Sequence, residues 1–330
     1  MWWIWGFAVL LIKLAVVLGA LITLAAYMVL VERKLLGRFQ IRYGPNRVGP
    51  FGLLQPLADG IKMILKEDFV PRAADRLIFV TAPAVVAAVP LVIAAVIPFS
   101  SDLVVGGTRI PMVISDLNIG LLFILALASL SVYGVALGGW ASNSKYSVLG
   151  AIRGSAQLIS YELSLGLSLV PVVMLAGSFS LVDIVNAQAR YPFLLVQPVA
   201  FVIFLISSMA ESYRIPFDLP ESENELIGGF HTEYSGMRFG LFFVGEYVSM
   251  IVLGALVAVF FLGGWRGPIL PPVLWFIIKM MLVPFFSIWT RASLPRLRYD
   301  QLMRLGWKFL LPVALANIVV TGAFMLLAGG

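Results

Sequence analysis

Between positions 3 and 31 the chain carries one charged side chain, Lys13, and almost nothing else that water would hold. A bilayer core takes roughly 20 consecutive apolar residues to cross as a helix, so this run is long enough to span and too apolar to lie on a protein surface. Seven further runs of the same kind follow at 77–99, 118–140, 155–177, 193–209, 239–262, 271–289 and 309–328. They are rich in Leu, Ala, Val and Gly and do not alternate, which favours helices over the strands of a barrel. The expected class is therefore an all-α integral membrane protein with eight transmembrane helices, forming a single polytopic domain over 1–330. Only 12% of the 330 residues are charged, about half the share of a soluble domain. No repeat of 20–50 residues stands out, nor does a matched pair of broken helices of the inverted-repeat kind. The first run lacks a basic start and a small-residue cleavage site, so it reads as a retained span.

The charges are arranged by side. Of the 23 Lys and Arg, 18 lie in loops after the first, third, fifth and seventh spans; the opposite loops hold only Arg109, Arg190 and Arg266, and Lys13 and Lys279 lie within spans. The positive-inside bias then places both termini on the outer side, as in a multi-pass protein of a bacterial cytoplasmic (inner) membrane. The formal charge of +6 is a topology signal and gives no reason to expect nucleic acid. Lys13 is expected to snorkel toward the near interface. With no cysteine and one histidine, His231, the chain has no ligand set for an iron-sulfur cluster, haem pair or zinc ion; no metal site and no tightly held cofactor are expected.

Between the first two spans, positions 37–76 form a polar loop rich in the Gly, Pro and Asn of tight turns. Within it, 53–66 places Leu54, Leu57, Ala58, Ile61, Ile64 and Leu65 on one helical face, with Gln55, Asp59, Lys62 and Lys66 on the other. This is an amphipathic interfacial helix on the cytoplasmic side. Two roles fit it: a peripheral anchor, or the wall of an opening through which an apolar molecule enters from the lipid.

Acidic residues gather in one place. Six of the seventeen, Glu211, Asp218, Glu221, Glu223, Glu225 and Glu233, fall within 211–234, and Glu246 follows in the next span. Asp218 and Glu221 have the spacing of a capping box. A helix beginning there would set Glu221 and Glu225 on one face, where like charges raise and couple their proton affinities. Glu162 and Glu246 lie inside spans, where an ionised carboxylate costs roughly 2.5 to 3.5 kcal/mol. They are either functional or reach an interface, and Lys279 is available as a partner in the same layer.

Several strings carry a resemblance in fixed order: Val31-Glu32-Arg33-Lys34, Arg42-Tyr43-Gly44-Pro45-Asn46-Arg47-Val48-Gly49, Gly52-Leu53-Leu54-Gln55-Pro56-Leu57-Ala58-Asp59-Gly60-Ile61-Lys62, Pro216-Phe217-Asp218-Leu219-Pro220-Glu221, Glu233-Tyr234-Ser235-Gly236 and Arg298-Tyr299-Asp300-Gln301-Leu302. Over essentially its whole length the chain resembles a membrane subunit of respiratory complex I, called the H subunit in bacteria and NADH dehydrogenase subunit 1 in mitochondria. Ser222 departs from the family pattern, which leads one to expect Ala or Gly.

The resemblance implies a non-catalytic-alone subunit of a proton-pumping NADH:quinone oxidoreductase, set between the peripheral and membrane arms. Quinone would be a substrate, with NADH, FMN and iron-sulfur clusters held by partner subunits; the partners would be those other subunits, quinone and membrane lipid. It maps Glu32, Arg33, Arg42, Phe243, Arg291, Arg296 and Arg298 onto the quinone entrance and chamber. Glu162, Glu211, Asp218, Glu221, Glu223, Glu225, Glu233 and Glu246 map onto the path coupling quinone chemistry to proton movement. The alternatives are the corresponding subunit of a membrane-bound hydrogenase or formate hydrogenlyase, and a cation-coupled secondary transporter.

Overall fold

A computed structural model describes residues 2–105 and 108–329, with side chains described except at 2–5, 104, 105, 108, 223, 224, 328 and 329. The first apolar run continues through Glu32-Arg33-Lys34, all good helix formers, to give α1 (Trp2–Phe39). The amphipathic segment is α2 (Gln55–Leu65), with Pro56 in its first turn and no buried residue. Asp75 opens α3 (Arg76–Ile93) by accepting from the Ile78 amide at 3.2 Å. A two-stranded antiparallel ladder, β1 (Leu103–Val105) on β2 (Thr108–Ile110), pairs Leu103 with Ile110 in the loop that follows. It is a small addition to an otherwise helical fold.

Next come α4 (Gly120–Ala141), α5 (Lys145–Ala176), the short α6 (Leu181–Ala187) and α7 (Phe193–Val196), and α8 (Pro198–Glu211). The chain finishes with α9 (Glu223–Leu226), α10 (Gly236–Phe261), α11 (Pro272–Ser293) and α12 (Tyr299–Arg304). The last passes through one π turn, Leu305–Leu310, into α13 (Leu311–Gly329).

Among the described residues, seven helices are long and apolar enough to cross a membrane. The run expected over 193–209 is divided: Gln197 leaves helical geometry at φ −127°, ψ 57°, and Pro198 restarts the chain as α8. At 14 residues α8 rises about 21 Å, less than the ~30 Å hydrocarbon core. The centre of the bundle is α10, with 78% of its most apolar window buried, against 6% for α1 and 17% for the final helix. It packs on α1, α3, α8 and α11, so whatever its polar residues meet is held on several sides.

The intramembrane lysines settle at one end of the bundle. Lys13 Nζ donates to the carbonyl of Pro111 at 2.6 Å. Lys279 does not pair with Glu162 or Glu246; its Nζ donates to the carbonyls of Leu262, Gly264 and Arg266 at 2.6, 3.0 and 2.6 Å, closing the C-terminal end of α10. A cation there meets the negative end of the helix dipole as well as its free carbonyls. Along α1, Lys13 and Glu32 are nineteen residues apart, about 28 Å by helical rise, so Lys13 and Glu32 mark opposite membrane faces.

Candidate functional site

At the Glu32 end, three helices and one loop bring opposite charges together out of water. Glu32 on α1 is 2% exposed and Arg214, just past α8, is 5% exposed. Arg214 Nη1 donates to both Glu32 oxygens at 3.0 and 3.1 Å, and its Nε lies 2.9 Å from Glu246 Oε1 on α10. Tyr247 OH donates to Glu32 Oε2 at 2.6 Å while its ring lies under the Arg214 guanidinium, 4.5 Å from the centroid. Arg291, near the end of α11, also binds Glu32 Oε1. Burial alone would lower the proton affinity of Arg214, but Glu246 and Glu32 outweigh it and hold the guanidinium charged.

The acidic stretch folds over this network as a loop. A helix does not begin at Asp218: α9 starts at Glu223 with Ser222 before it, so the expected capping box and the Glu221–Glu225 pairing on one helical face are not formed. The physical reason is tertiary. Asp218 Oδ2 accepts from Arg296 Nη2 at 2.9 Å, and Arg296 Nη1 donates to Ser222 Oγ at 2.9 Å, so residues 218 and 222 are held by the loop before α12. Ser222, the departure from the family pattern, thus supplies a polar contact that Ala or Gly could not. Glu225 turns to the surface and pairs with Arg153 at 2.6 Å.

Beneath the loop lies a cavity of about 510 Å³, lined among others by Asp218, Glu221, Phe243, Glu246, Arg291 and Arg296. On one side Phe230, Phe239 and Phe243 set their rings edge-on around His231. His231 Nδ1 is 3.8 Å from Glu221 Oε1. Burial lowers His231 to about 4 and, with Glu246 and Asp218 nearby, raises Glu221 well above the carboxylate range. Both shifts favour a proton on Glu221 over one on His231, whose imidazole is neutral at pH 7. Asp218 is also raised, by burial, against the pull of Arg296 and other arginines. Tyr213 OH, Arg214 Nη2 and Asp218 Oδ1 are buried without a protein hydrogen-bond partner among the described residues, and all three residues line the cavity. Such atoms suit a polar ligand or water.

Glu221 and Glu246 also line a second, smaller cavity of about 80 Å³ that runs between α3, α4, α5 and α10 and contains Glu211. These two carboxyls, with Tyr213 beside them, are thus the shared wall of a charged outer chamber and an apolar inner one. Glu162 is not on either wall, although its charge reaches Glu211.

Of the residues expected at a chamber, Phe243, Arg291 and Arg296 line the cavity and Glu32 backs it. Arg33, Arg42 and Arg298 do not: they bind Asp59 at 2.8 Å, Gln40 at 2.7 Å and Asp300 at 3.0 Å, each on the surface. The Arg33 contact fastens α2 to α1. Of the expected acidic path, Asp218, Glu221, Glu246 and Glu211 gather on the two cavities. Glu225 and Glu233 lie off them, and the Glu223 side chain is outside the described residues. The sequence singled out neither Arg214, Tyr247 nor the imidazole of His231 as a partner; adjacency to Glu246 was the available signal for Tyr247.

The family model described as NADH dehydrogenase matches residues 12–322. The second H subunit of the NADH-quinone oxidoreductase of Syntrophobacter fumaroxidans is 68% identical over 327 residues, covering 99% of each chain. The H subunit of Syntrophotalea carbinolica is 61% identical over 320 residues and the second H subunit of Geobacter sulfurreducens 64% over 310, covering 97% and 94% of each chain. These relatives bear the oxidoreductase name and not that of a hydrogenase or a transporter.

Proposed function

The chain belongs to the NADH dehydrogenase family of membrane subunits, and on that premise we propose that its charged cavity receives the quinone headgroup and passes the protonic consequence inward through Glu221 and Glu246. It is a membrane subunit of an NADH-quinone oxidoreductase, and part of an oxidoreductase rather than a complete one. Quinone takes up two electrons and two protons to become quinol; the electrons come from partner subunits, and this chain's residues act on the protons and on charge. The observation that carries the proposal is the shared wall, two carboxyls facing both the outer cavity and the inner one.

The chemistry follows from charge matching. Glu32, Glu246 and Asp218 each touch a guanidinium of Arg214, Arg291 or Arg296. Glu221 touches none among the described residues and is raised by burial, so the cluster is balanced with a proton on Glu221. A reduced, negatively charged quinone entering the cavity would draw on that proton, and the carboxylate left behind would favour uptake from the inner side. Phe243, Phe239 and His231 offer the flat apolar surfaces a quinone ring needs. In this reading α2 walls the opening from the lipid, Arg33 holds it in place, α7 and α8 together make the eighth span beside the seven long helices, and both termini lie on the outer side. Arg42 and Arg298 then belong to the rim facing the peripheral-arm subunits.

The test is a photoreactive short-chain quinone applied to the assembled oxidoreductase. Labelling of peptides containing Phe239, Phe243 or His231, competed by excess quinone, is the expected result. Labelling confined to other subunits would overturn the cavity assignment.

A further inference from the structure

The bundle has a second large polar cavity, about 560 Å³, at the opposite membrane face. Three parts of the chain form it: 98–102 and 109–116 after α3, the face of α6 carrying Val182 and Asn186, and Trp265-Arg266 after α10. Its position follows from Lys13, whose ammonium is committed to the carbonyl of Pro111 on the cavity wall, about 28 Å along α1 from Glu32. The loop bearing Arg266 is fixed from below, because its carbonyl accepts from Lys279 at 2.6 Å.

Four charged side chains line this cavity, Asp102, Arg109, Asp116 and Arg266, and among the described residues none pairs with another within ion-pair distance. Arg266 Nη2 donates to Asn186 Oδ1 at 3.0 Å, while its Nε is buried with no hydrogen-bond partner. A buried guanidinium N–H without an acceptor is costly, and two acids beside two arginines that do not close on each other leave room for a ligand carrying both signs. A simple anion would be repelled by Asp102 and Asp116, and a simple cation by the arginines. Val182, Met112 and Trp265 supply apolar wall beside these charges. The volume lies in the ~300–1,000 Å³ range of small-ligand sites.

We propose that this cavity binds the phosphoethanolamine headgroup of a membrane lipid, with the phosphate on Arg266 and Arg109 and the primary ammonium on Asp102 and Asp116. The primary amine matters because it donates hydrogen bonds to carboxylates, which a trimethylated choline cannot do.

The experiment titrates deuterated phosphatidylethanolamine, phosphatidylcholine and phosphatidylglycerol separately into the delipidated, assembled oxidoreductase and counts retained lipid by native mass spectrometry. Wild type is expected to hold one phosphatidylethanolamine in preference to the other two. Arg266→Gln should weaken that lipid about tenfold, the scale of one charge-assisted phosphate contact, with NADH:quinone reductase activity unchanged. Asp102→Asn with Asp116→Asn should abolish the preference for ethanolamine over glycerol, an arm that does not depend on Arg266. Soluble phosphoethanolamine should compete where inorganic phosphate does not. Equal retention of all three lipids, retention unaffected by either variant, or equal competition by inorganic phosphate would each overturn the proposal.

Discussion

Glu221 is the carboxyl left over when the arginines of the inner cluster have taken their partners, and its environment makes opposite predictions for stability and for function. Its folded proton affinity lies well above the ordinary 4.5, so the protonated form is stabilising below that value and the contribution is lost as pH rises. Glu221→Gln fixes the neutral form. The variant is expected to raise the unfolding midpoint of the purified complex at pH 8 while lowering quinone reduction and proton pumping about a hundredfold, the low end of the usual scale for losing a proton-transfer group; unchanged pumping in an assembled complex would refute the role. Glu225→Gln is the control, since its exposed pair with Arg153 is worth only about 0–1 kcal/mol, and pumping should be unaffected. His231 works in the other direction. Depressed to about 4 by burial from the ordinary 6.5, it contributes stability that is complete above pH 6.5 and is lost as pH falls toward 4. His231→Gln should flatten that stretch of a stability-versus-pH curve, by up to about 3 kcal/mol at pH 4. The clustering of these acids was legible in the sequence because charge is rare elsewhere. The hub, Arg214, was not legible, because the Glu32 it binds is 182 positions away and only the packing of α1, α8 and α10 brings the two together.

At the scale of elements, the apolar runs announced their helices, and the alternation of Leu57, Ile61 and Asp59, Lys62 announced α2. What failed was the start of a helix at Asp218. The local spacing was right for a cap, but Arg296 takes the Asp218 carboxylate from another loop and Glu221 turns inward. A second local device shapes the same segment. Gly229 sits at φ 66°, and a Cβ there would strike the Pro220 carbonyl, next to Glu221. Gly177, at φ 67° after α5, has open space around the same position. Gly177→Ala is therefore expected to cost only the left-handed strain, about 1 kcal/mol. Gly229→Ala should add a backbone clash of about 1–3 kcal/mol and displace Glu221, which is read as a lower unfolding midpoint together with lower pumping. Equal effects of the two substitutions would show that the 218–229 loop does not fix the position of Glu221.

The whole molecule is a bundle with two unlike polar ends, and its handedness in the membrane is set by where the cations lie. The Glu32 end carries α2, the acidic loop and the Arg291–Arg298 segment, whereas Arg109, Arg190 and Arg266 belong to the Lys13 end. Lys and Arg are retained on the cytoplasmic side during insertion, so the Glu32 end should face the cytoplasm. The chain contains no cysteine, which makes the sidedness directly measurable with single introduced thiols. Lys145 is exposed as the first residue of α5, just after the turn from α4, and Ile269 is 87% exposed in the loop between α10 and α11, at opposite ends of the bundle. In intact cells a membrane-impermeant maleimide should label Ile269→Cys and leave Lys145→Cys untouched until the membrane is opened. Labelling of Lys145→Cys in intact cells would invert the chain, set the quinone cavity on the outer face, and detach the proposed function from its electron donors.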